Sequence, residues 1–415
     1  MTILEGKISM EYKQLKTLLN DISTYEDEYK KRIEGFGVFV TELYPYLLKR
    51  RETHKSDVPL FAVPLQEIQL LTQDITENSK KIKKLSEKLP GVANNQFYTE
   101  QLYKAIISTN EIEGVKTERK EVSDAYKAVV NKEKKNVRLK STLALYNDIM
   151  HSEKIDIHDL KDIREIYNQL TDGEVDETEV PNGKLFREKI EGTTVEVGNH
   201  IPPQTELEIS SLLLTWIKFI NDHSFPYLVR ATLGHYFFEN IHPFNDGNGR
   251  TGRYIFSRYL SKKLDTYSGL VISQKINENK MDYYKAFEIT GDAYNRGDAT
   301  FFMRTMLEYI VHGQEEIIEV LEEKINNLDT VKNMLSKSSY NQQERYVLFL
   351  LYQSQLFTND INDGIQDNII IDLAKKKDYF SIRIAKNTLW NLEEKGVIKL
   401  ITQRPKRHVI VEPII

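Results

Sequence analysis

The chain contains no cysteine, which excludes disulfides and thiol chemistry and fits a cytoplasmic enzyme. It also lacks any apolar run long enough to span a bilayer, so no membrane association is expected. Its first residues, MTILEGKISMEYKQ, lack the basic start and apolar stretch of a secretory leader. Charge of either sign is not in large excess: the net value of −5 offers no global argument for nucleic acid or anionic membranes. What is present suits a packed protein. Hydrophobic residues make up 40% and charged residues 29%, ordinary proportions for a globular chain. At 415 residues, two or three domains are expected.

One segment concentrates chemistry. Residues 242–253 read His-Pro-Phe-Asn-Asp-Gly-Asn-Gly-Arg-Thr-Gly-Arg. Before it, apolar spacing from Pro226 to Asn240 predicts a helix; after it, Tyr254, Ile255, Tyr259 and Leu260 begin a second. Gly247-Asn248-Gly249 therefore lies where a turn meets a helix start. Glycines there let the backbone approach a ligand, and the open N–H groups of a first turn favour an anion. Arg250 and Arg253, three apart, can share a helix face, and their planar forks suit phosphate. His242 is the side chain best matched to taking a proton near neutral pH. Asp246 is a hard oxygen ligand of the kind magnesium uses together with phosphate oxygens. Each residue alone fits an ordinary helix–turn–helix junction. Their combination in this order points to transfer chemistry on a nucleotide phosphate.

The segment resembles the Fic family signature His-Pro-Phe-x-(Asp/Glu)-Gly-Asn-Gly-Arg-x-x-Arg at every fixed position. That resemblance implies AMP transfer from ATP to a Tyr, Thr or Ser hydroxyl of a protein target, with pyrophosphate leaving. By motif position His242 is the base, Asp246 the Mg²⁺ ligand and Phe244 the buried anchor. Gly247, Asn248 and Gly249 form the phosphate nest, while Arg250 and Arg253 bind the β- and γ-phosphates. Upstream, Gly183-Lys-Leu-Phe-Arg187, Val195 to Val197 and Ile201-Pro-Pro203 are similar to the family's flap hairpin, which registers the target by backbone pairing. Downstream, Ile272-Ser273 with Tyr283 and Tyr284 resembles the adenine wall; two adjacent tyrosines on a helix are equally read as one core and one surface residue. Gly297-Asp298 before Phe301-Phe302 looks like the next helix start.

Thr109-Asn-Glu-Ile-Glu113-Gly114 matches the inhibitory pattern (Ser/Thr)-x-x-x-Glu-(Gly/Asn) of many Fic proteins. Gln101 to Glu113 is a helix candidate closed by Gly114. The implied mechanism is that Glu113, preferred over the alternative Glu111 because a glycine follows it, occupies Arg253 and keeps the γ-phosphate from its productive pose. In some relatives the same glutamate assists AMP removal, so de-AMPylation is a companion expectation.

Along the chain, residues 1–50 read as one or two charged amphipathic helices, and Leu70 to Leu89 as a helix up to Pro90. Helices fill most of 123–175, and Leu207 to Ile220 is another. Gln314 to Leu335 suggests a helical spacer, and Ser336 to Tyr340 a linker. Val347 to Tyr352, Ile371 to Lys376 and Ile382 to Lys395 predict three helices, with Gly396 closing the last. Val397 to Ile401 and His408 to Val411 alternate as strands around Gln403-Arg-Pro-Lys-Arg407. That order resembles a winged helix; if it binds DNA, Lys386, Asn387 and Asn391 sit on its recognition helix and Arg404, Lys406 and Arg407 on its wing. The equal alternative is a protein-interaction or dimerisation domain with an ordinary solvated turn.

The expected architecture is mainly α, a Fic-type helical core with a β-hairpin flap plus a C-terminal winged-helix-like α+β domain. Expected domains are 1–122 (N-terminal module with inhibitory helix), 123–312 (catalytic core), 313–341 (spacer and linker) and 342–415 (winged-helix-like). The expected activity is that of a protein adenylyltransferase autoinhibited by Glu113, using ATP with Mg²⁺. Its partners are a protein target, the chain itself, DNA through 342–415 and a second copy of the chain. The rival expectation is a DNA-binding regulator whose core senses nucleotide or modifies only itself. A narrower rival keeps the enzyme and changes the nucleotide-linked donor.

Overall fold

The structure, a computed structural model, describes residues 12–134, 137–151, 157–176, 178–360 and 363–411. It is mainly helical, as expected. A 3-10 turn at Leu15–Leu18 leads into α1 (Ile22–Ile33), followed by β1 (Phe39–Val40), β2 (Tyr46–Lys49), β3 (Glu52–Lys55) and β4 (Phe61–Ala62). Then come α2 (Gln66–Ser86), α3 (Gly91–Ile112), α4 (Arg119–Val130), α5 (Lys140–His151), α6 (Leu160–Thr171), α7 (Glu206–Ile220) and α8 (Tyr227–Ile241). They are followed by α9 (Asn248–Lys263), α10 (Thr266–Leu270), α11 (Ile272–Glu278), α12 (Lys280–Gly291) and the long α13 (Thr300–Lys337). The C-terminal segment is α14 (Gln342–Phe357), α15 (Asp367–Ala374), α16 (Ile382–Glu394) and an antiparallel pair, β5 (Ile398–Gln403) and β6 (Lys406–Ile410). No helix of the described residues is long and apolar enough to cross a membrane.

Three elements differ from their sequence expectation. Between 12 and 50 only α1 is an α-helix, and residues 39–62 form two antiparallel strand pairs, β1–β4 and β2–β3. Gly37, at φ +79°, turns the chain after α1, and the Tyr46-Leu47-Leu48 run favours a strand. The part of that expectation within residues 1–11 lies outside the described residues. Helix α3 starts at Gly91, directly after Pro90, and not at Gln101. Burial of Phe97 and Tyr98 carries this polar stretch into the helix despite weak local periodicity. The expected spacer is the second half of α13, continuous from Thr300.

The chain folds as two compact units. The first comprises Met1–Gln73, Lys154–Phe256 and Glu278–Tyr309. Here α7 begins with a capping box, Thr205 and Glu208 each satisfying the other's backbone N–H. Its Trp216 donates its indole N–H to the Gly234 carbonyl at 2.8 Å. A side chain at Gly234 would meet Ile220 at 3.1 Å, so glycine permits this close approach of α7 and α8. Nearly every residue of α8 is buried, and the helix stands at the centre of the unit.

The second unit comprises Asp74–Glu153, Ser257–Asn277 and Ile310–Ile415. Its α3 is buried on several sides. Phe97 meets Tyr267 of α10 with ring centroids 4.9 Å apart and Phe357 of α14 at 6.1 Å, and the Tyr98 hydroxyl reaches the Tyr146 carbonyl of α5. Arg119 of α4 bridges Glu100 of α3 and Asp363. The core of α14, α15, α16 and the β5–β6 pair is continuous with Val331 and Leu335 of α13 and rests against Val92 of α3.

Candidate active site

The site is built at the junction of α8 and α9, within the first unit. Helix α8 ends at Ile241, and His242 is its cap, in the left-handed conformation at φ 51° with its N–H on the Phe238 carbonyl. A non-glycine residue there is uncommon and requires surrounding support. Pro243 follows, so the chain cannot continue as a helix. The His242 ring makes no side-chain hydrogen bond among the described residues. Burial, with Arg187 and His200 adding positive charge, pushes its pKa down to about 3. The residue is nonetheless only half-buried. A neutral imidazole with an uncommitted nitrogen is the state a proton acceptor needs.

Asn248 then staples the loop to itself. Its carbonyl accepts from the Phe244 N–H and its amide donates to the Phe244 carbonyl, both at 2.8 Å. Phe244 is fully buried, stacked on Tyr167 of α6 with centroids 3.8 Å apart and an interplanar angle of 19°. Gly247 has φ +80°, and a Cβ there would sit 2.8 Å from Thr171 Cγ2 and 3.2 Å from Tyr167 Cε2. Both backbone and space demand glycine. Asn248, Gly249 and Arg250 form the first turn of α9, whose N–H groups have no acceptor within the helix.

Asp246 accepts from the Gly247 N–H at 2.5 Å and pairs with Arg250 at 3.1 Å, while 45% of its side chain stays exposed. Arg250 is buried and also pairs with Glu174 at 3.3 Å. Among the described residues no group of three or more acidic, His or Cys side chains could enclose a metal. A single half-exposed carboxylate beside the first turn of α9, with its open N–H groups, still fits Mg²⁺, which commonly takes one or two carboxylates and draws its remaining ligands from phosphate and water. Arg253 is 2% exposed and lies close enough to His235 to depress it. Burial first, and the Arg253 charge second, push His235 down to about 3.

The other expected residues fall in several places. Tyr283 is buried, and its hydroxyl is 2.8 Å from His235 Nε2. Tyr284, next on α12, is 47% exposed. In the flap, Val197 and His200 exchange both backbone hydrogen bonds across Gly198-Asn199, a minimal hairpin. The Val195 backbone is held on both sides by the Gln204 amide. In the second unit, Glu113 caps α3 and is exposed, whereas Thr109 is buried. Gly114 has φ +76°, as a closing glycine should. On the C-terminal segment Lys386, Asn387, Asn391, Arg404 and Lys406 are exposed. Arg407, expected on the wing, instead turns inward and donates to the Gly364 carbonyl at 3.0 Å.

The sequence did not single out Arg187 beyond its place in the flap, nor His200, Glu174 or Tyr167. Arg187 is 1% exposed and its guanidinium reaches the carbonyls of His242 and Pro203 at 2.7 and 2.5 Å. No periodicity marks such contacts, because they join segments 16 to 55 residues apart.

The Fic/DOC family model matches residues 157–260. The chain is similar to the protein adenylyltransferase Fic of Culex quinquefasciatus, 36% identical over 154 residues, covering 36% of this chain and 27% of the relative. With that of Drosophila melanogaster it shares 33% over 155 residues, 37% of this chain and 28% of the relative. The chain thus spans about a quarter of the length of these relatives. Among solved structures, a Fic family protein from Desulfovibrio desulfuricans aligns at TM-score 0.45 and 17% identity, covering 82% of this chain and 96% of that one. Residues 157–260, which carry the complete signature at the α8–α9 junction, match the Fic/DOC family.

Proposed function

We propose that the chain transfers AMP from ATP to a hydroxyl side chain of a protein. The observation that carries the reading is the neutral, uncommitted His242 imidazole held in a left-handed cap immediately before the Gly247-Asn248-Gly249 helix start. The target hydroxyl gives its proton to a His242 ring nitrogen as its oxygen forms a bond to the α-phosphorus. The bond from that phosphorus to the bridging oxygen breaks, and pyrophosphate leaves with the electron pair. The first turn of α9 binds the phosphates through its N–H groups, and Arg250 and Arg253 hold the β- and γ-phosphates. Asp246 would hold Mg²⁺, which supplies charge neutralisation on the phosphates when bound. Phe244 anchors the loop, Tyr283 and Tyr284 border the adenine, and Val195 and Val197 register the target segment.

Glu113 is the inhibitory residue in this reading, competing with the γ-phosphate for Arg253. The test uses ATP labelled at the α-phosphate on three proteins, with intact mass as a second readout. The wild type should incorporate little label, Glu113→Gly should incorporate it on itself or on lysate protein, and Glu113→Gly with His242→Ala should not. Absence of label on all three, with ATP binding intact, rejects the reading.

A second reading concerns residues 342–411. Three helices followed by a hairpin, with Lys386, Asn387 and Asn391 exposed on α16 and Arg404 and Lys406 exposed at the hairpin tip, suit duplex DNA. Binding should weaken steeply with salt and be lost in the Lys386→Glu, Arg404→Glu, Lys406→Glu triple variant. Salt-insensitive binding, or none, removes this reading.

A further inference from the structure

Four consecutive carbonyls, of residues 240–243, run through the turn that carries His242, and the flap binds all four. His200 Nε2 lies 2.8 Å from the Asn240 oxygen. Arg187 donates Nη2–H to Ile241 at 3.4 Å and Nε–H to His242 at 2.7 Å. Its backbone N–H reaches the Pro243 oxygen at 3.0 Å. The same Nη2 also holds the Pro203 carbonyl, so one guanidinium joins both ends of the flap to the turn. Arg187 is 1% exposed and has no ion pair among the described residues. A buried cation that meets only carbonyls is costly, and the negative end of α8 offsets part of that cost.

We propose that Arg187 and His200 are positioning residues for His242, making the seated flap and the proton acceptor one hydrogen-bonded unit. A left-handed, non-glycine residue followed by proline needs its neighbours to define it. Here the flap supplies that definition, so a target strand that shifts the flap also shifts the histidine. The charged and titratable groups acting on the cluster are Arg187 itself, His200, and Glu208 at the start of α7. Arg187 and His200 both lower the His242 pKa, so removing the guanidinium must raise it.

The inference rests on the proposed AMP transfer, and its test separates the two. In the full-length Glu113→Gly protein, kcat and the KM for ATP are measured for Arg187→Lys, His200→Leu and His200→Gln. Arg187→Lys and His200→Leu should lower kcat by about tenfold or more with KM changed less than about twofold. Gln, which keeps a donor at similar reach, should restore most of the kcat lost with Leu. Independently of turnover, the His242 ring is titrated by NMR in ¹³C-histidine-labelled Arg187→Met protein. Its midpoint should rise by about one unit or more from the parent. Unchanged kcat in Arg187→Lys and His200→Leu, with an unmoved titration, overturns the proposal. Should Arg187→Met fail to fold, the His200 pair decides. Absence of label on the parent defeats the AMP-transfer reading alone, and the titration still answers for the positioning role.

Discussion

His242 combines a left-handed backbone conformation with a partly buried ring kept neutral. Burial is the larger cause of its depressed pKa and the Arg187 charge the next; both leave it unprotonated throughout the neutral range. Gly247 is the neighbouring position at which a single atom decides the outcome. In Gly247→Ala, a left-handed Cβ costs about 1–2 kcal/mol, and the clash with Thr171 and Tyr167 must also be relieved. Such a shift moves the Phe244–Tyr167 stack and the first turn of α9 together. We expect nucleotide affinity to fall by about tenfold or more and the melting temperature by several degrees. Calorimetric titration with ATP and a thermal scan check this, and an alanine variant binding ATP like the parent would show that the turn is not the phosphate nest.

At the scale of elements, α8 carries the site because it is buried on nearly all sides. Its His235 stacks on Phe256 of α9 and meets the Tyr283 hydroxyl of α12. Like His242, His235 has a folded pKa near 3, below the ordinary value of 6.5. The sign follows from linkage: below about pH 6.5 the unfolded chain binds protons that the folded chain refuses, so stability falls as pH drops toward 3. Each such group can contribute up to about 1.4 kcal/mol per pH unit in that window. Melting temperatures from pH 7 to pH 4 should therefore decline, and His235→Phe should flatten the decline. An unchanged slope would mean that His235 is already charged in the folded protein. Helix α9 begins with the motif, readable from residue type, whereas the strands at 39–62 are too short to show a period.

For the whole molecule, the C-terminal segment is not packed on itself alone. Its core continues into Val331 and Leu335 of α13, and Phe357 faces Phe97 of α3. Deleting 342–415 would uncover those side chains, each worth about 1.5–3 kcal/mol when fully buried. The truncated chain should melt at lower temperature and self-associate, as thermal scans and size-exclusion chromatography would show. A truncated protein as stable and monodisperse as the parent would contradict that continuity. Charge reversals on α16 and the hairpin tip are consequently the cleaner way to test DNA binding.

Local chemistry made much of this protein legible in advance. The glycines of the 242–253 turn, the helices on either side, Gly114 as a helix stop and the C-terminal order of helices and strands all follow from residue type and spacing over a few positions. The helical class and the 242–253 motif are therefore properties of the sequence itself. Tertiary structure alone decided the rest. It lengthened α3 back to Gly91 by burying Phe97 and Tyr98, turned Arg407 inward, and set Arg187 and His200 on the carbonyls behind His242. Those contacts join segments distant in the chain, and their energies come from burial and from carbonyls left open at a helix end. Neither quantity exists until the chain has folded.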